Sequence, residues 1–170
     1  MVSDRLDEQW DLYDRALHRL GTQRRGDPMP PGTVHLTVAA LVFGPDGRVL
    51  LQRRSPQKLH RPNTWDASAG GSVLLEETPA QAVRREVQEE LGLTLAFAPA
   101  DRFARVWHAT WVEDWFTVGL PTVPVLHRQQ TEVAALTWCA VASACARLAA
   151  QGDAAYADQV RAAQAWLARP

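Results

Sequence analysis

Three glutamates, Glu86, Glu89 and Glu90, stand at positions i, i+3 and i+4. On a helix that spacing puts their carboxylates on one face. Like charges so close repel one another and cost helix stability, so something must offset them. Arg85 is one candidate, because it reaches Glu89 one turn on. A divalent cation is another. Mg2+ and Mn2+ take hard oxygen ligands, and Mg2+ keeps waters that exchange for the phosphate oxygens of a substrate. The plain alternative is a solvated face, Arg84-Arg85-Glu86 and Gln88-Glu89-Glu90, on an ordinary amphipathic helix.

The helix that must hold these carboxylates is well marked. Thr78 is an N-cap residue, and Gln81 three positions on completes a capping box. Pro79 falls at the first helical position, where a missing N–H costs nothing. Gly92 follows Leu91 and ends the helix in the left-handed conformation. Ala80, Val83, Val87 and Leu91 form its apolar stripe. Upstream, Val34–Phe43 and Arg48–Arg54 read as a β-hairpin around the turn Gly44-Pro45-Asp46-Gly47. A polar loop follows, 55–64, and then an extended stretch, 65–75, interrupted by Gly70-Gly71.

Downstream, Thr94–Ala98 reads as a strand, and Phe103–Leu120 as one or two more, joined near Glu113-Asp114. Val133–Trp138 is a candidate last strand. Ser143–Ala150 and Ala154–Ala168 are alanine-rich and helical. The first 20 residues fit two periods: Trp10-Asp11-Leu12-Tyr13 alternates as a strand does, while Leu6, Trp10, Tyr13 and Leu17 sit at helical spacing. Gly26–Gly32, with three prolines, is a connector. Strands and helices mix without regular βαβ alternation, the pattern of an α+β or layered mixed-sheet fold.

Composition narrows the class. The chain has 170 residues, which suits one domain with one core. Apolar residues make up 46% and charged ones 22%, the balance of a folded globular protein. The net charge of -1 offers no field to hold a nucleic-acid polymer. Cys139 and Cys145 match no common zinc or redox spacing and read as free buried thiols in a reducing compartment. No secretory signal and no apolar run of membrane-spanning length is present, so the expected location is the cytoplasm and no membrane partner is expected.

The spacing extends beyond the helix. Residues 71–93 read Gly71-x5-Glu77-x7-Arg85-Glu86-Val87-x-Glu89-Glu90-x-Gly92-Leu93. This pattern resembles the Nudix box at every fixed position. The resemblance covers roughly residues 8 to 140, including the hairpin and the approach Trp65-Asp66-x-Ser68-Ala69-Gly70-Gly71. Within the superfamily it resembles the isopentenyl-diphosphate-isomerase-like group.

The resemblance implies an α/β/α sandwich on a central mixed sheet, with the box as loop–helix–loop. It implies a single domain over 1–170, with 1–34 an extension and 143–170 C-terminal helices. It implies hydrolysis of a nucleoside diphosphate linked to another moiety, a small-molecule diphosphate substrate, and Mg2+, or Mn2+, as cofactor. Carried over by position, Glu86, Glu89 and Glu90 hold metal, with the Gly70 carbonyl as a further ligand. Arg85 and Glu77 brace the loop. Gly71 permits a backbone turn that a side chain would block. The general base is Glu86, or else Glu132, which otherwise reads as a surface carboxylate. A homodimer is a family habit.

Two rival readings come with the same resemblance. Isopentenyl-diphosphate isomerases use a catalytic cysteine and three metal-binding histidines. Here the cysteine position falls at Gly70, and the histidine positions at His35, about Pro28 and Ser72, so only His35 survives. A non-catalytic Nudix module would lose box glutamates, and none is lost.

Substrate features are weaker. Arg53, Arg54, Lys58, His60 and Arg61 cluster before the box and either grip a phosphate or form a solvated loop. Trp107, Trp111 and Trp115 recur every four residues. On one unbroken strand they would face one side, to stack a nucleobase or to pack the core. His108 among them reads as a partnered histidine.

Overall fold

A computed structural model describes residues 5–169. Residues 1–4 and 170, the two ends of the expected 1–170 domain, lie outside the described residues. The first period conflict resolves in favour of the strand: β1 (Gln9–Tyr13) pairs antiparallel with β2 (Arg19–Arg24). Trp10 and Leu12 are buried, while Leu6 is exposed.

The main sheet is built on β3 (His35–Phe43) and β4 (Val49–Arg54). The turn between them forms where the sequence places it, but the strands pair only at Phe43 and Val49 and then part. The segment that follows enters the gap, first as β5 (Trp65–Asp66) along β4 and then as β6 (Ala69–Ser72) along β3. Ser68 is the crossing point. Its hydroxyl accepts from the Val42 N–H at 2.8 Å and donates to the Leu50 carbonyl at 2.6 Å, doing for both strands what a ladder partner would. On the other edge of β3, β8 (Trp111–Gly119) runs parallel over nine residue pairs. β7 (Arg102–Trp107) flanks β8, and β9 (Val133–Cys139) flanks β4. One parallel pair among antiparallel ones makes the sheet mixed.

β3 is buried on both faces, and the two faces define two cores. Val38, Ala40 and Val42 pack with Val83, Val87 and Leu91 of α1 (Pro79–Leu91). Ala39, Leu41 and Phe43 pack with Ala144, Leu148 and Val160 of α2 (Val141–Ala150) and α3 (Ala154–Leu167). The result is an α/β/α sandwich. Cys139 and Cys145 are free and buried in the second core.

Two strand expectations need correction. Thr94–Ala98 forms no strand: the stretch has no ladder, Pro99 opens a 3-10 turn, and Phe97 is held by packing against Phe116. Phe103–Leu120 is two strands, but the joint lies at 108–110, not at Glu113-Asp114. The turn closes through the His108 N–H on the Trp111 carbonyl, and Arg15 donates to the His108 and Ala109 carbonyls. Glu113 and Asp114 sit buried inside β8 because both find partners: Tyr156 and Trp115 for one, Arg102 and Arg105 for the other. The tryptophans therefore form no row. Trp107 stands on β7 opposite Val112, Trp111 is partly exposed at the start of β8, and Trp115 is core.

Candidate active site

α1 is capped as its residues specify. The Thr78 side chain accepts from the Gln81 N–H, Gln81 reaches back to the Thr78 N–H, and Gly92 takes φ +71°. Gly92 is also needed for space, since a Cβ there would lie 2.7 Å from the His127 Cβ. With the apolar stripe fixed against β3 and β6, the next positions round the helix meet Gly70-Gly71, which is strand rather than the expected turn; glycine is needed at 71 for the space that Glu86 takes.

Arg85 organises that meeting. Its Nε and Nη2 donate to both oxygens of Glu77, at 3.0 and 2.9 Å, and Nη2 also donates to the Ser72 carbonyl at 2.9 Å. Glu77 in turn accepts from the Leu74 N–H. One guanidinium thus ties the loop to the helix by planar, charge-assisted hydrogen bonds. Its Nη1 faces the Glu86 carboxylate at 2.6 Å and Glu89 at 3.5 Å.

The three glutamates occupy different depths. Glu89 is half-exposed. Glu86 lies against the backbone of Gly71, so close that a Cβ there would fall 2.2 Å from Oε1. Glu90 is buried and accepts from the Gly70 N–H and from Gln52 Nε2, each at 2.9 Å. Burial pushes the Glu86 carboxyl up to about 7 against the pull of Arg85. Burial, with the neighbouring Glu86 charge, pushes Glu90 up to about 8, although the Gly70 N–H favours its ionised form.

Gly70, Gly71, Glu86 and Glu89 line one small cavity, and Lys58 and Glu132 line it too, as a 2.5 Å ion pair. Arg5, Glu8 and Arg25 of the N-terminal segment also line it. The other expected substrate contacts are elsewhere. Arg54 pairs with Asp66 and caps the His60 carbonyl, Arg61 pairs with Asp153 over the Tyr156 ring, and Arg53 faces the Asn63 carbonyl. Trp107 carries Arg15 over its ring.

Gln52 and Arg25 were not read from the sequence. Gln52 had a signal, as the polar residue that follows Val49-Leu50-Leu51 in a strand buried on both faces. Arg25, in a proline-flanked stretch, had none.

The donor chemistry fits a hard divalent cation: Glu86 and Glu90 meet the Gly70-Gly71 backbone, Glu89 lines the same cavity as Glu86, and among the described residues the buried Gln52 Oε1 has no partner. Among the described residues, no three side chains of the metal-binding types already form a cage. Glu86 and Glu90 are turned to Arg85 and Gly70. The isomerase comparison also has structural content. Ser72 bonds Arg25, and His35 is buried under Trp10, its pKa pushed down to about 4 by burial first and by the Arg25 charge second. Neither cysteine lines the cavity.

A fold of two helical layers on a mixed sheet, with a carboxylate helix docked on a Gly-Gly strand, defines a class. A model of the NUDIX domain matches residues 33–162, and the chain belongs to the Nudix family. An uncharacterised Nudix hydrolase of Listeria innocua is 39% identical over 75% of this chain and 76% of its own length. A crystal structure from Deinococcus radiodurans superposes with a TM-score of 0.75 at 26% identity, covering 92% of this chain and 99% of that one. An isopentenyl-diphosphate Delta-isomerase of Streptomyces griseus is also 39% identical, but over 49% of this chain and 43% of its own. The family acts on nucleoside diphosphates linked to another group and generally uses divalent cations, and the chain is an enzyme of the pyrophosphohydrolase class. No helix among the described residues is long and apolar enough to cross a membrane.

Proposed function

We propose that this protein hydrolyses the diphosphate bond of a small nucleotide, such as a nucleoside di- or triphosphate, with Mg2+ bound at Glu86, Glu89, Glu90 and the Gly70 carbonyl. Mn2+, with the same ligand preference, is the alternative ion. The observation that carries the reading is the cradle: Glu86 rests where only glycine at 71 leaves room, in a cavity shared with Glu89, Lys58 and Glu132. When bound, the ion neutralises phosphate charge and acidifies water. Glu86, whose carboxylate lines the cavity beside Gly71, takes the proton of the attacking water. The water oxygen bonds to phosphorus, the bridging P–O bond breaks, and the leaving phosphate keeps the bridging oxygen. Arg85, bound to Glu77 and Ser72, holds Glu86 in place. Lys58 faces the substrate phosphates once Glu132 releases it. Glu132 is the alternative base; Lys58 holds it as Arg85 holds Glu86.

Gly71, Glu77 and Gly92 serve as supports for these groups. The reading takes the chain as one domain working in the cytoplasm, with a homodimer following from family habit. The isomerase reading lacks a thiol at this strand, since glycine occupies 70 and both cysteines are in the core. The test is phosphate release from a nucleotide panel with and without Mg2+. Glu89→Gln should cut turnover by orders of magnitude with the fold kept, and wild-type turnover in that variant would remove the assignment.

A further inference from the structure

The N-terminal segment lies outside the matched span 33–162, yet it walls the cavity. It is fixed there by one main-chain contact and one to a side-chain carboxylate. The Leu75 N–H donates to the Gln9 carbonyl at 2.8 Å, and the Glu76 N–H donates to Asp11 at 3.2 Å. Arg25 follows β2, and its backbone N–H donates to the Glu8 carbonyl. Its Nη2 lies 3.0 Å from Glu8 Oε2 and 3.2 Å from Ser72 Oγ, next to the glycine that cradles Glu86. Both Arg25 and Glu8 side chains are about four-fifths buried, so this is no mobile surface pair.

Three cations that line the cavity face carboxylates that line it too: Arg25 faces Glu8, Lys58 faces Glu132, and Arg85 faces Glu86 and Glu89. A polyanion entering with divalent cations would re-pair them. Phosphate oxygens are stronger partners for a guanidinium fork than one carboxylate oxygen.

We propose that Arg25 is a substrate-phosphate ligand contributed by the N-terminal hairpin, and that Glu8 masks it until a diphosphate displaces the carboxylate. This deepens the hydrolase reading and rests on it. Arg25 and Lys58 both line the cavity, so the two cations grip the diphosphate from two chain segments. A mere structural clip would make the same ion pair, but the two ideas differ in sign. If Glu8 is a mask, removing its charge strengthens phosphate binding. If the pair is a clip, removing either partner loosens the site alike.

The experiment measures binding of methylenediphosphonate, which is not hydrolysed, in Mg2+ by calorimetry, alongside KM and kcat for a nucleotide and the melting temperature. The variants are Arg25→Gln, Arg25→Lys and Glu8→Gln. Loss of one charge-assisted contact should weaken binding and raise KM by about tenfold to a hundredfold in Arg25→Gln, with kcat changed less. Arg25→Lys should recover part of the loss, and Glu8→Gln should bind more tightly than wild type. Wild-type affinity in Arg25→Gln, with nucleotide turnover intact, would overturn the inference and leave the hydrolase standing. Equal weakening in Glu8→Gln and Arg25→Gln would overturn it in favour of a clip. A wild type that neither binds the diphosphonate nor releases phosphate from nucleotides would remove both readings.

Discussion

Gly71→Ala separates the site from the fold more cleanly than loss of a glutamate. Gly71 lies in β6, where the extended backbone accepts alanine. The added Cβ would sit 2.2 Å from Glu86 Oε1, 2.5 Å from Cδ and 2.9 Å from Oε2, whereas ordinary contact begins at 3.4 Å. The carboxylate must retreat by about 1 Å, and it can, because it is the end of a flexible side chain. Such a shift costs about 0.5–1.5 kcal/mol in rotamer strain, a fall of roughly 2–6 °C in melting temperature for a chain this size. The same displacement of a group that must meet a reacting atom costs turnover on the order of a hundredfold. The assay is kcat beside a thermal melt, with Glu86→Gln as reference. Gly71→Ala should approach that reference in kcat while melting within a few degrees of wild type. Near-wild-type turnover would refute the reasoning, because Glu86 would then not work from the cradle.

Gly92→Ala should do the reverse. A left-handed backbone costs alanine about 1–2 kcal/mol, and the Cβ meets that of His127, so the melting temperature should drop by several degrees or more while the carboxylate face is kept; an unchanged melt would contradict the cap. Metal affinity should weaken as pH falls from about 8 to 6, because Glu86 and Glu90, raised to about 7 and about 8, must lose protons to act as ligands; Mn2+ calorimetry at the two ends checks it, and equal affinities would contradict it. Glu113 gives a stability signature. Burial lifts its carboxyl to about 7, above its unfolded value, so the folded state holds the proton more tightly and stability is lost as pH rises from about 4.5 through 7. The full effect is about 3 kcal/mol. His35, lowered to about 4, opposes it, so the comparison is wild type minus Glu113→Gln across that window; a difference that stays flat would contradict it.

The features legible in the sequence are those that neighbouring residues decide. The caps at Thr78, Gln81 and Gly92 act within one turn of their own helix, and the carboxylate spacing is fixed by the helix itself. The turn at 44–47 is likewise local. Contacts between distant segments were not legible. The hairpin β3–β4 splits because Ser68 supplies hydrogen bonds to both strands, which nothing within the hairpin reveals. Glu113 and Asp114 look like turn residues until Tyr156 and Arg105 arrive from other elements. Arg54 and Arg61 look like free phosphate grips until Asp66 and Asp153 occupy them. Arg25 reaches the cavity because β1–β2 folds back onto the box loop at Gln9 and Leu75.

The central claim is metal-dependent cleavage of a diphosphate bond by the carboxylates of α1. The most direct measurement follows a nucleoside triphosphate in 18O-water with and without Mg2+, using wild type and Glu89→Gln, and identifies the products. The account predicts a nucleoside phosphate and a released phosphate or pyrophosphate, with one 18O at the attacked phosphorus, in the wild type with Mg2+ alone. Equal release from Glu89→Gln, or a nucleotide left intact by the wild type in Mg2+, would contradict it.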